Sequence, residues 1–273
     1  MMRKRFNQSK PGAPIAKTLK LLVGTKTDDE LVPLHVKDAD ILTVFGYLSQ
    51  LYALYRKAED LPTIVMKHQF YSVIGNRTNV DQTIASLQVS GKVRVFKTSL
   101  GTDQFCTMLT SDYVDYVRMI SNLPTDTNSI ESVDMNDKVR IKVLLKFLEE
   151  FIPNYSDIYV SLKVLNAKYK FVDSHITLLI KAGVLTSKDA GCWWLAIPNV
   201  GKFLKTLRKG RGHTLQTIKR SKYKELSVKN LLARKPPSSI KLGWHFHIHD
   251  LIGADIISSI KSTNGVILRV VTV

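Results

Sequence analysis

Three times along this 273-residue chain a helix-like segment ends at a small or polar residue plus glycine and passes straight into β-branched residues. The sites are Ser90-Gly91-Lys-Val, Ala182-Gly183-Val-Leu and Asn264-Gly265-Val-Ile. Glycine readily takes the left-handed conformation that closes a helix, and β-branched residues favour the strand that follows. The intervals of about ninety and eighty residues suit small domains rather than solenoid repeats. The recurrence predicts tandem α+β modules, mainly α.

The intervening pattern gives each module its parts. Residues 1–35 read as a basic arm, with Arg3, Lys4, Arg5, Lys10, Lys17 and Lys20 and no acid in the first twenty residues. Such an arm serves either as an import or DNA-contacting tail or as a solvated terminus. From Asp38 the spacing of Ile41, Val44, Leu48 and Leu51 predicts a helix, capped by Asp38 or Asp40. Ile64–Ile74 reads as a short strand entering a helix, and Asn76 precedes a second helix carrying Val80, Ile84 and Leu87. Two alternating segments, 92–97 and 104–110, read as a β-hairpin, and a helix over 111–122 closes the unit. Helices followed by a two-stranded hairpin within about eighty residues form the pattern of a winged helix.

After a polar linker at 124–136 the pattern repeats. Helices are predicted over 138–151, 158–169 and 173–182, with Asp173 as a cap, then a hairpin turning at 188–191. A third copy is expected to have a helix over 250–261, a turn at Asn264-Gly265 and a strand from Val266. The expected divisions are 36–123, 137–209 and 210–273, three tandem winged-helix domains.

Residues 201–235 carry twelve Lys or Arg against the single acid Glu225, so +11 of the chain's +17 is concentrated there. Solvated helix faces normally interleave both signs, and like charge at this density works against folding. A polyanionic partner is therefore implied. Val200, Phe203, Leu204 and Leu207 make an apolar stripe with Lys202, Lys205 and Lys209 opposite it. Gly210-Arg-Gly is expected to break this helix. A second is expected over 214–226, with Leu215, Ile218 and Tyr223 or Leu226 inward, and Ser227 capping a third. The narrow stripes and the lack of an aromatic insertion face argue against a membrane-surface helix. No run of eighteen apolar residues is present.

His245-Phe-His247-Ile-His249-Asp250, read as a strand, puts three imidazoles on one face. A three-His zinc site is conceivable, but the spacing is no standard ligand pattern and neither Cys106 nor Cys192 supports it. Histidines hydrogen-bonded at a module interface are the better reading, so no metal or cofactor is expected. On the second hairpin, Trp193 and Trp194 point to opposite faces, one into the core and one toward a neighbouring module, a partner or a base. No glycine-rich phosphate loop, His-Arg-Asp loop, Asp-Phe-Gly or nucleophile elbow is present, so no catalytic residue is assigned.

Long collinear strings carry a resemblance: Leu61-Pro-Thr-Ile-Val, Gln69-Phe-Tyr-Ser-Val, Ala182-Gly-Val-Leu-Thr, Asp189-Ala-Gly-Cys-Trp-Trp-Leu-Ala-Ile-Pro, Lys222-Tyr-Lys-Glu-Leu and His247-Ile-His-Asp-Leu-Ile-Gly-Ala. From about Phe45 to Val273 the chain resembles the proteins named serine/threonine-protein kinase 19. The resemblance implies three tandem winged helices, a homodimer, duplex-DNA binding and a nuclear role in transcription-coupled nucleotide excision repair. The family is thought to bridge stalled RNA polymerase II, the Cockayne-syndrome repair factors and transcription factor IIH. Its DNA-contacting cations match Lys205, Lys219, Lys222 and Arg234, and Lys209, Arg211, Arg220 and Lys235 are expected to assist. The alternatives are the protein kinase of the family name and a scaffold for acidic proteins or RNA.

Overall fold

Three small antiparallel sheets, each of three strands, organise a chain that is otherwise helical. The computed structural model describes residues 40–51, 53, 61–101, 104–124 and 134–271. The basic arm and most of the expected linker lie outside the described residues.

One order of elements occurs three times. First come α1 (Ile41–Gln50), β1 (Val65–Met66), α2 (Lys67–Val73), α3 (Arg77–Val89), β2 (Val93–Lys97) and β3 (Phe105–Leu109), with α4 (Thr110–Ile120) behind them. Next are α5 (Met135–Lys146), extended by a π-turn at Phe147–Phe151, and α6 (Ile152–Asn154). They lead into β4 (Tyr159–Ser161), α7 (Leu162–Ala167), α8 (Asp173–Lys181), β5 (Leu185–Asp189) and β6 (Cys192–Leu195). Last come α9 (Val200–Lys219), a 3₁₀ turn at Lys222–Lys224, β7 (Glu225–Ser227), α10 (Val228–Leu232), α11 (Trp244–Gly253), β8 (Ile257–Ser262) and β9 (Gly265–Val270). In every sheet the last strand lies centrally, between its hairpin partner and the short strand that opens the unit. Thr107 faces both Val65 and Val95, Trp194 faces Tyr159 and Thr186, and Leu268 faces Leu226 and Ser259.

Local chemistry explains the boundaries. Asp40 accepts from Thr43 N at 3.0 Å, Asn76 from Asn79 N at 3.1 Å and Ser227 from Asn230 N at 3.1 Å, satisfying amides that open their helices. Gly91 and Gly183 sit at φ +73° and +76°, and the next amide reaches back to a carbonyl five residues earlier. The third such turn is at Asp255, φ +57°, where Ile256 N bonds Leu251 O at 3.0 Å. Asn264-Gly265 is instead the tip of the β8–β9 hairpin, with Ser262 opposite Gly265.

Further expectations are corrected. The helix expected over 250–261 is displaced, since α11 ends at Gly253 and Ile257–Ser262 is strand. The His245–Asp250 segment is helix rather than strand. Residues 158–169 split into β4 and α7, and Val172, not Asp173, occupies the cap of α8. The break at Gly210–Gly212 is absent: α9 runs unbroken through it for 20 residues, so the second helix expected over 214–226 is its end plus a turn and a strand.

The units are packed on one another. A shared core runs from Phe96 and Tyr113 through Phe147, Phe151 and Leu179 to Phe203, Leu207 and Phe246. Arg94, 2% exposed on β2, donates to the carbonyls of Ile152 and Tyr155 at the end of the second unit's first helix. The negative end of a helix there stands in for a carboxylate partner. Trp193 packs on this shared core, while Trp194 meets Tyr159 edge-on and lies under the ammonium groups of Lys97 and Lys188.

Candidate nucleic-acid interface

The long helix α9 separates its side chains cleanly. Phe203, Leu204, Leu207, Gly210, Thr214 and Ile218 are buried at three- and four-residue spacing. Lys205, Arg208, Lys209, Gly212, Gln216, Lys219 and Arg220 are exposed. From Lys205 to Lys219 the row spans about 21 Å, at about 1.5 Å per residue. Lys222, Lys224, Arg234 and Lys235 continue the exposed charge beyond the helix.

Elsewhere on the surface, cations face acids: Lys67 with Asp81, Arg77 with Asp255, Arg118 with Glu149, Arg140 with Asp137 and Lys188 with Asp189. Among the described residues, Lys205, Arg208, Lys209, Lys219, Arg220 and Lys235 have no such partner. Even Glu225, the one acid of the stretch, is taken by Arg269 across β7 and β9. The row is thus a surface of uncompensated positive charge on a rigid helix.

Arg211 is the exception among the eight expected contact residues. It turns inward, where its Nε and Nη2 donate to the two carboxylate oxygens of Asp250 at 2.8 and 2.7 Å. His68 on α2 also meets Asp250, at 2.8 Å, and Asp250 is fully buried. Burial alone would raise the Asp250 pKa. The hydrogen bonds from His68 and Arg211 outweigh it and hold the carboxyl well below the usual carboxylate range.

The histidine segment belongs to the same seam, in which α11 of the third unit lies on α2 of the first. Gln69 Nε2 donates to Phe246 O at 3.1 Å, and His249 sits between Tyr47 Oη at 3.2 Å and Ser72 Oγ at 2.7 Å. Ser72 donates onward to Gln69 O at 2.7 Å, which assigns the chain as Tyr47 to His249 Nε2, His249 Nδ1 to Ser72. That arrangement is complete with a neutral imidazole. Burial accordingly pushes His249 down to about 3 and His247 to about 4. No cluster of three metal-ligating side chains occurs among the described residues. Two glycines here leave no room for a side chain: a Cβ on Gly253 would lie 1.9 Å from the backbone oxygen of His68, and one on Gly210 2.0 Å from Nε2 of the His247 ring. Gly210 therefore serves close packing, which is why α9 continues through it.

Of the two residues offered for the inward position, Leu226 is the buried one. Tyr223 is 77% exposed and carries φ +61°. Arg208 joins the row on α9 by helical spacing alone, a signal already present in the sequence.

The model of the family described as inactive serine-threonine protein kinase 19 matches residues 48–270. The chain belongs to this family. A relative from Xenopus laevis, named winged helix repair factor 1, is 36% identical over 228 residues, covering 82% of each chain. Proteins of the same name from Homo sapiens and Mus musculus are 33% and 34% identical. The human match covers 87% of this chain and 88% of the relative, the mouse match 77% of each. The family description as inactive agrees with the missing kinase motifs, and the relatives' shared name agrees with the helix-and-hairpin units seen here.

Proposed function

We propose that this chain is a non-enzymatic repair factor built of three tandem winged-helix modules, and that it docks on the phosphates of duplex DNA through the basic row. The carrying observation is the uncompensated row on α9, anchored by a buried apolar stripe on its other side. Lys205, Lys209, Lys219, Arg220, Lys222, Arg234 and Lys235 hold phosphates, with Arg208 between them. Arg211 leaves the set, because its guanidinium is committed to Asp250. The span from Lys205 to Lys219 equals the rise of about six base pairs at about 3.4 Å each. Lysines contacting phosphate give affinity and orientation without reading bases, so binding is largely indifferent to sequence.

Family resemblance supports the wider role: a nuclear homodimer that bridges stalled RNA polymerase II, the Cockayne-syndrome repair factors and transcription factor IIH in transcription-coupled repair. The relatives' name supports the repair assignment, and the family description supports the absence of kinase activity.

A salt titration of duplex binding tests the docking. If Z cations meet phosphate, log K falls against log salt with a slope of about −0.9Z. The double change Lys219→Glu and Lys222→Glu should weaken binding to every sequence alike and reduce the slope by about 1.8. Binding that ignores salt, or an unaffected double variant, refutes the docking. An acidic peptide that displaces DNA at equal charge concentration would favour a protein partner for the same face.

A further inference from the structure

The turn that follows α9 holds an aromatic ring where packing has no use for it. Tyr223 is the most exposed aromatic among the described residues, and the one such aromatic with positive φ. Its neighbour Lys224 is also left-handed, at φ +56°. Bulky side chains disfavour that region, which glycine or asparagine adopts at far lower cost. The turn is nonetheless rigid. Lys224 N bonds Ser221 O at 3.0 Å, β7 begins at Glu225, and buried Leu226 pairs opposite Leu268. Among the described residues, the ring meets only the Lys222 ammonium, 5.0 Å from its centroid. Lys219, Arg220, Lys222 and Lys224 all lie within four residues of it and are exposed. An aromatic face held out to solvent beside an ammonium group, on a turn flanked by exposed cations, has the two parts of a single-strand contact, a stacking surface and phosphate ligands.

We propose that Tyr223 is a base-stacking residue, its ring lying against an unpaired nucleobase while the surrounding cations hold the flanking phosphates. The inference rests on the DNA reading above and deepens it. A paired base presents its faces to its neighbours in the stack, so the ring has access only where the duplex is opened or damaged. The protein then prefers DNA carrying an unpaired base over intact duplex, through a term that adds no charge.

The test uses the full chain and two duplexes, one intact and one bulged by a single unpaired 2-aminopurine. Wild-type protein should bind the bulged duplex more tightly and change the fluorescence of the unpaired base. Tyr223→Asn removes the ring but suits the left-handed backbone, so its melting temperature should be equal or higher. It should bind the bulged duplex roughly 5- to 150-fold more weakly, the range of one lost base stack, with intact-duplex affinity and salt slope unchanged. Tyr223→Phe should behave as wild type. If Tyr223→Asn keeps the preference, or wild type shows none, the inference is overturned while phosphate docking stands. If wild-type binding to both duplexes ignores salt, the docking reading fails and takes this inference with it.

Discussion

Replacing Gly253 by alanine adds one methyl group and should cost more than almost any other single methyl in the chain. In an exposed helix interior, alanine is favoured over glycine by up to about 1 kcal/mol. Here the new Cβ would stand 1.9 Å from His68 O and 2.5 Å from its carbonyl carbon, both backbone atoms that no rotamer change can move. Restoring ordinary contact needs α11 to withdraw from α2 by about 1.5 Å. The bonds from Gln69 to Phe246 O, His68 to Asp250 and His249 to Ser72 all cross that gap, at 3.1, 2.8 and 2.7 Å. Overpacking typically costs about 1–3 kcal/mol, and each buried polar group left unpaired about 1–3 kcal/mol more. A net loss of about 3–5 kcal/mol is expected, or on the order of 10 °C in melting temperature at about 2–4 °C per kcal/mol. Gly212→Ala is the control, because nothing lies within 4 Å of its new methyl. It should gain up to about 1 kcal/mol from helix propensity. Thermal and urea melts followed by circular dichroism compare the two. A Gly253→Ala protein as stable as Gly212→Ala would refute the close packing of these helices.

Two further outcomes follow from the same seam. His247 and His249 titrate in the folded state near 4 and 3, below the ordinary 6.5, so the unfolded chain binds more protons as pH falls. Their contribution is complete above about pH 6.5 and declines toward pH 4, by about 2 kcal/mol for each at pH 5. Urea melts at pH 7.5 and 5 measure it, and flat stability over that interval contradicts the neutral assignment. Arg211 and Lys209 should separate stability from binding. Arg211→Gln leaves Asp250 buried without its main partner, costing about 3–5 kcal/mol in melts, with the salt slope of DNA binding unchanged. Lys209→Gln should leave the melt unchanged and reduce the slope by about 0.9.

Much of the first unit was legible because its signals are local. Asp40 and Asn76 cap their helices, Gly91 closes α3, and two alternating segments make the hairpin. The basic row was legible for a related reason, since a face that stays in water needs no tertiary partner to be recognised. The third unit was misread where tertiary packing overrides the pattern. From Trp244 to Gly253 every residue but His245 is buried, so α11 shows no polar face, and its alternation of His with Phe and Ile mimics a strand. In β8, Ile257 and Ile260 are three residues apart, which mimics a helix. Asp255 takes the left-handed position that glycine marks in the other two units, so the turn lost its signature. Arg94 had no signal at all. Both faces of its strand are covered, and the carbonyls it binds lie 58 and 61 residues onward.

The seating of α11 on α2 also sets a timetable. Gln69 and the carbonyl it binds, Phe246 O, are 177 residues apart. At a synthesis rate of about 5–20 residues per second, α2 leaves the ribosome roughly 10–35 s before its cover is made. Throughout that interval Gln69, Ser72 and His68 lack the hydrogen-bond partners that α11 brings. The seam between the first and third units therefore closes only once α11 has been made, long after α2.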